Sequence, residues 1–150
     1  MFVPEDFAVP VELVTEDFRL APLGPEHNES DHAAWVSSID HIRTTPGFAG
    51  RSWPPADGMT LTENLADLTH HAEEFTTRAA FAYTVLDPAG GDVIGCVYLR
   101  PPGRPGSDVD VLSWVRADRA HLDGALYRAV SAWLRTSWPF TEVRYAPRSS

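Results

Sequence analysis

Histidines and carboxylates recur at helical spacing between residues 60 and 78. Stepping about 100° per residue from Leu61, Asp67, His71, Glu74 and Arg78 fall in one narrow polar stripe, with Asn64 beside it. Such a stripe can line a cleft, where His71 or Glu74 would serve as the base for an amine. It can equally be a ladder of ion pairs, each contributing about 0.2–0.5 kcal/mol; spacing leaves both open. His70 lies opposite Leu61 and is expected in solvent. His71 and Glu74 share a flank, but two ligands from one helix do not close a metal site, so no metal is expected. Asp108 and Asp110 share one face of a strand, where carboxylates commonly face water. Phe48, Arg51 and Trp53 ride on a breaker-rich loop from Thr44 to Gly58, where aromatic side chains either bind a substrate or pin the loop to the core.

Other chemistries are missing their residues. The chain has no Gly-x-Ser-x-Gly elbow, Walker loop or Rossmann fingerprint. Its one cysteine, Cys96, lies in the apolar run Val93-Ile94-Gly95-Cys96-Val97-Tyr98-Leu99, where a buried thiol behaves as a small hydrophobe. The formal net charge is −9, and all 12 basic residues are arginine. That balance argues against nucleic acid as a partner, a local arginine patch aside. The start has no basic n-region, and no stretch approaches the roughly 20 apolar residues of a membrane span. A cytoplasmic protein with no membrane partner is expected. The 150 residues suit one domain, with residues 1–11 as an extended arm.

The elements that must position these side chains follow from periodicity. Phe18-Arg19-Leu20-Ala21-Pro22-Leu23 alternates as a strand. Trp35, Ile39 and Ile42 place a helix within 26–43. Thr60-Leu61-Thr62-Glu63 is a capping box, and Leu61, Leu65, Leu68, Ala72 and Phe75 give the following helix an apolar face. Strands follow at 81–86, 93–99 and 109–115, the middle one apolar without a break and so covered on both faces. A helix over 119–135 buries Leu122, Leu126, Ala129, Val130, Trp133 and Leu134. A strand within 140–145 closes a right-handed parallel crossover. The order is β-α-α-β-β-β-α-β in an α/β (α+β) domain.

That order resembles the GNAT superfamily of N-acetyltransferases over roughly residues 17–145. Phe18–Leu23 resembles its opening strand, Asp92-Val93-Ile94-Gly95-Cys96-Val97-Tyr98 its third strand, and Ser113-Trp114-Val115 with the loop to Ala125-Leu126 its acetyl-CoA segment. The resemblance implies a central, mostly antiparallel mixed sheet with helices on both faces. It implies acetyl-CoA as cofactor, with pantetheine on the backbone at Ser113, Trp114 and Val115. It also implies a pyrophosphate near Arg116, Arg119, His121 and Gly124, at a helix start rich in free N–H groups. A small amine would be acylated, with Phe48, Arg51 and Trp53 binding it and Asp110, His71 or Glu74 as acid or base.

The segment departs from the superfamily's [Q/R]-x-x-G-x-[G/A] motif. It carries one late glycine, Gly124. Asp118 is a natural N-cap that would occupy the N–H groups a phosphate needs, and Asp123 adds negative charge. A non-catalytic module binding a ligand or protein through the Phe48–Trp53 loop is therefore the alternative. The superfamily's last helix and two strands have no counterpart before Ser150. With Trp133, Trp138 and Phe140 near that edge, a homodimer is expected, unless the N-terminal arm folds over it.

Overall fold

A computed structural model describes residues 2–148. The strands β1 (Leu13–Val14), β2 (Arg19–Pro22), β3 (Phe81–Leu86), β4 (Val93–Arg100), β5 (Val109–Val115) and β6 (Val143–Tyr145) form one sheet in sequence order. Every neighbouring pair is antiparallel except β5 and β6. Between β2 and β3 lie a 3-10 turn (Pro25–His27), α1 (Asn28–Val36), α2 (Ile39–Arg43) and α3 (Leu61–Thr77). Between β5 and β6 lie a 3-10 segment (Ala117–Leu122) and α4 (Asp123–Ser137). The expected order holds, with β1 added. The helix expected over 26–43 is broken between α1 and α2, where Ser38 leaves α-geometry (φ −130°, ψ 18°).

The unbroken run of β4 is central and buried up to Leu99. Val97 and Leu99 face the core shared with α4; Cys96 and Tyr98 face the core shared with α1 and α3. The pairing with β3 steps from Val85↔Gly95 to Leu86↔Val93 and skips Ile94, a bulge. A Cβ at Gly95 would lie 2.3 Å from the Trp114 carbonyl oxygen on β5, so only glycine lets the two backbones meet there.

The capping box closes α3: Thr60 Oγ1 accepts from Glu63 N at 3.1 Å, and Glu63 Oε1 from Thr60 N at 2.9 Å. The buried face of α3 is not the expected one. Leu61 and Leu65 are 47% and 42% exposed, while Asn64 and Leu68 are buried and His71 and Phe75 half-buried. The helix is thus rolled by about 50° from its purely apolar face. Asn64 explains the roll: its amide accepts from Trp35 Nε1 (3.0 Å) and donates to Asn28 (2.9 Å) and Asp31 (3.0 Å) on α1. A buried amide with three partners outweighs two leucines left partly in water.

The aromatic cluster that motivated a dimer is covered within one chain. Phe2 stacks on Phe81 and Phe140 at 5.7 and 5.3 Å, and Phe7 packs on Trp138 at 5.4 Å. Arg78 donates to the Pro4 carbonyl at 2.6 Å and the Tyr83 hydroxyl to the Pro10 carbonyl at 2.5 Å. The arm thereby buries Trp133, Trp138 and Phe140, and that surface no longer argues for a second copy.

Candidate functional site

On the α1–α3 side of the sheet, the loop after α2 folds back over β4 and β5. Trp53 sits at its centre, 5.4 Å from Trp35, 6.0 Å from Phe48, 6.3 Å from Tyr98 and 6.1 Å from Trp114. Arg43 holds the loop through the Pro54 carbonyl at 2.8 Å, and a His32 ring nitrogen lies 2.6 Å from the Met59 carbonyl. Between this loop, α3 and the sheet lies a cleft of about 380 Å³. Phe48, Arg51 and Trp53 line it, and so do Asn64, Asp67, His71, Tyr98 and Arg100. Phe48 is itself buried, so it pins the loop as well as walling the cleft.

Of the polar stripe of α3, Asp67 and His71 wall the cleft together with Asn64, whereas Glu74 and Arg78 do not line it, and the stripe is not a ladder of ion pairs. Arg78 reaches the arm and no carboxylate of the stripe. Glu74 lies 3.7 Å from His71 and 3.6 Å from His70, contacts that are ionic only with protonated imidazoles. Burial, with the nearby charges of Arg100 and His70, pushes His71 down to about 4. It is neutral at physiological pH, and its contact with Glu74 is not an ion pair. Its ring lies 5.6 Å from that of Tyr98, over which the Arg100 guanidinium sits at 5.8 Å. His70 also borders the cleft, from an exposed position.

Beneath the cleft the polar groups are interlocked. Asp31 is buried and takes Asn64 on one oxygen and the Cys96 thiol, at 3.5 Å, on the other. Burial pushes the Asp31 carboxyl up against those bonds. Cys96 is thus a weak donor as well as a small hydrophobe. Trp114 Nε1 donates to the Tyr98 hydroxyl at 3.1 Å. Burial pushes both Tyr98 and Cys96 up, keeping them protonated.

Asp110 is not brought together with His71 and Glu74. It lines a neighbouring hollow, bound by Arg144 (2.9 Å), the Ser107 hydroxyl (2.8 Å) and Gly103 N–H (3.0 Å). Burial would raise its carboxyl, but these three hold it below the usual range, so it is a weak base. Asp108 is structural, accepting from Thr141 and Glu142 N–H, each at 2.9 Å.

The expected cofactor residues lie along the end of β5 and the start of α4. Trp114, Val115 and Ser113 are buried, Gly124 is half-buried and His121 exposed. Asp118 caps no helix: two residues past Arg116, it is taken by that guanidinium at 2.6 and 3.2 Å. That pairing holds its carboxyl below the usual range. Three N–H groups of the turn where a pyrophosphate would sit are in use. Arg116 N donates to Ile94 O, Arg119 N to Arg116 O, and Ala117 N to the Ser38 hydroxyl at 2.8 Å. The Arg119 guanidinium holds Asp87 at 2.7 Å.

The free edge of β5 is also filled. β6 pairs with β5 only as far as Val111. Beyond it, Arg148 donates to the Ser113 carbonyl at 2.7 Å and pairs with Asp123 at 2.8 Å, its side chain 2% exposed. The Tyr145 hydroxyl lies 2.5 Å from that of Ser113, and burial pushes it up to about 12. As arranged, these residues do not fit a CoA chain: the Ser113 carbonyl at the strand edge, three N–H groups of the turn and the guanidiniums of Arg116 and Arg119 are bound by the protein itself. Arg148, Tyr98 and Arg100 carried no signal in the sequence beyond a strand's apolar pattern or a lone charge. Among the described residues no group of three His, Cys, Asp or Glu side chains is placed to hold a metal ion, and no helix is long and apolar enough to cross a membrane.

No family model and no curated protein matches the sequence. Solved structures do match. The ribosomal-protein-S5-alanine acetyltransferase from Vibrio fischeri is 16% identical with a TM-score of 0.60, covering 83% of this chain and 67% of that one. The microcin C7 self-immunity acetyltransferase MccE, solved with acetyl-CoA and AMP, is 11% identical with a TM-score of 0.62, over 85% of this chain and 66% of that one. The GNAT domain of S. lividans PAT is 16% identical with a TM-score of 0.58, over 87% and 77%.

Proposed function

From the GNAT fold that this chain has, we propose that the aromatic cleft binds a small amine and that the domain acts as a ligand-binding module. The observation that carries this is His71, an imidazole held neutral in a cleft walled by Trp53 and Tyr98. A neutral ring nitrogen accepts a hydrogen bond from an ammonium, and the ring of Trp53 attracts the same cation. Asp67 on the rim adds negative charge. The cleft, about 380 Å³, is of a size for a small molecule. The filled β5 edge and the occupied N–H groups favour binding without transfer.

N-acyl transfer from acetyl-CoA to that amine is the second reading. It is favoured by the acetyltransferase neighbours and by His71, whose neutral ring nitrogen can accept a hydrogen bond from the attacking amine. Glu74 lies beside it. The strand edge at Ser113, Trp114 and Val115, with Arg116, Arg119, His121 and Gly124, would first have to be released from its present partners. Asp110, in the adjoining hollow, has no part in either reading.

Calorimetric titration separates the two. Tyramine is expected to release heat with the protein, and acetyl-CoA and free CoA to release none. Binding of acetyl-CoA, with thiol released once tyramine is added, selects acyl transfer. Tyramine that binds equally well to Trp53→Ala overturns the cleft as its site.

A further inference from the structure

The hollow beside the cleft, about 670 Å³, shares Arg51, Arg100 and Leu112 with it as a common wall. Arg104 and Arg144 complete the ring, so four of the chain's 12 arginines surround a space that contains one carboxylate, Asp110. Asp110 already holds Arg144, Ser107 and Gly103. Among the described residues, Arg51, Arg100 and Arg104 have no carboxylate within ion-pair distance. Arg51 donates through Nε to the Gly47 carbonyl at 2.7 Å, its terminal nitrogens making no hydrogen bond among the described residues, and Arg100 rests on the Tyr98 ring.

This chain carries a net charge of −9, so carboxylates to neutralise a cationic cluster are abundant. Their exclusion from this wall is therefore informative. Like charges gathered beside an apolar surface repel one another unless an anion joins them. Guanidinium groups offer fixed forks of donors that match carboxylate and phosphate oxygens. We propose that the ligand is zwitterionic: its amine enters the aromatic cleft toward His71, and a carboxylate or phosphate group is held between Arg51 and Arg100, with Arg104 behind them. The proposal deepens the amine-binding reading and rests on it.

The two parts are tested with separate probes. Inorganic phosphate and acetate, each against chloride at equal ionic strength, probe the anion site through the unfolding midpoint. Phosphate is expected to raise the midpoint of the wild type and of Arg128→Ala, an exposed arginine on α4, more than that of Arg51→Ala/Arg100→Ala. General salt exclusion acts on all three alike and cancels in the comparison. A larger rise with acetate than with phosphate assigns the site to carboxylate, the reverse to phosphate. Equal shifts in the wild type and the double variant overturn the anion site. Tyramine and tyrosine, which differ by a carboxylate, then test the join. Tyrosine is expected to bind at least about tenfold more tightly, as charge-assisted hydrogen bonds imply, and to lose that advantage in the double variant. Equal binding overturns the zwitterionic ligand and leaves the amine cleft intact. Failure of both tyramine and tyrosine to bind overturns the amine reading.

Discussion

His71 shows how burial fixes a residue's chemistry. Its ring sits between α3 and Tyr98, within the field of Arg100, and its proton affinity falls from 6.5 to about 4. The unfolded chain therefore binds a proton on this residue that the folded chain refuses. Stability attributable to His71 is complete above pH 6.5 and is lost as the pH falls to about 4, a swing of about 3 kcal/mol. Denaturant unfolding at pH 7 and pH 4 should show this loss in the wild type and not in His71→Gln. An equal loss in both would place the imidazole in solvent. Arg148 is the second residue whose burial carries weight. Arg148→Met leaves Ser113 O and Asp123 without their cation, and Asp123 is itself partly solvated. A loss of about 1.5–3 kcal/mol is expected by chemical denaturation, the range for hydrogen bonds to a charged group. No measurable change would mean that the side chain does not hold the β5 edge in solution.

Helix α3 positions the cleft wall, and its rotation decides which side chains reach it. Leu68 is buried and Leu65 is not, although both belong to the same apolar repeat. Leu68→Ala should cost about 2–5 kcal/mol and Leu65→Ala less than about 1 kcal/mol. Similar losses for the two would restore the simple apolar face. The case also marks what the sequence makes legible. The capping box, the buried run of β4 and the crossover through α4 are local or periodic signals, and they survive intact in the structure. The roll of α3 depends on Asn64 meeting Asn28, Asp31 and Trp35, more than 28 residues away, and no periodicity contains that. The stripe of His71 and Glu74 was legible as a stripe; that His71 lines a cleft and Glu74 does not required the loop carrying Trp53. Asp118 looked like a helix cap because its type and place suit one. Arg116, two residues earlier, takes the carboxylate instead, and the turn runs on as a 3-10 segment before α4 begins.

At the scale of the whole molecule, the sheet carries two cores, and the N-terminal arm closes the one built on α4. Phe2 and Phe7 cover Trp138, Phe140 and Phe81, and the Pro4 and Pro10 carbonyls tie the arm to Arg78 and Tyr83. The arm thus does for this face what a second subunit would otherwise do, and it leaves the cleft on the opposite face untouched. Substituting Phe2 and Phe7 together by alanine removes two half-buried rings from aromatic partners. A loss of about 2–5 kcal/mol is expected, from their apolar area and ring contacts. The wild type should sediment as a monomer, because its large aromatic cluster is internal. The double variant exposes Trp138 and Phe140 on one contiguous face and should self-associate as concentration rises. Tyramine binding should survive in the variant at temperatures where it remains folded, since the cleft shares no residue with the arm. A wild-type dimer that the double substitution leaves intact would show that subunits pair through another face. A variant that loses tyramine while still folded would show that the two cores are coupled through the sheet.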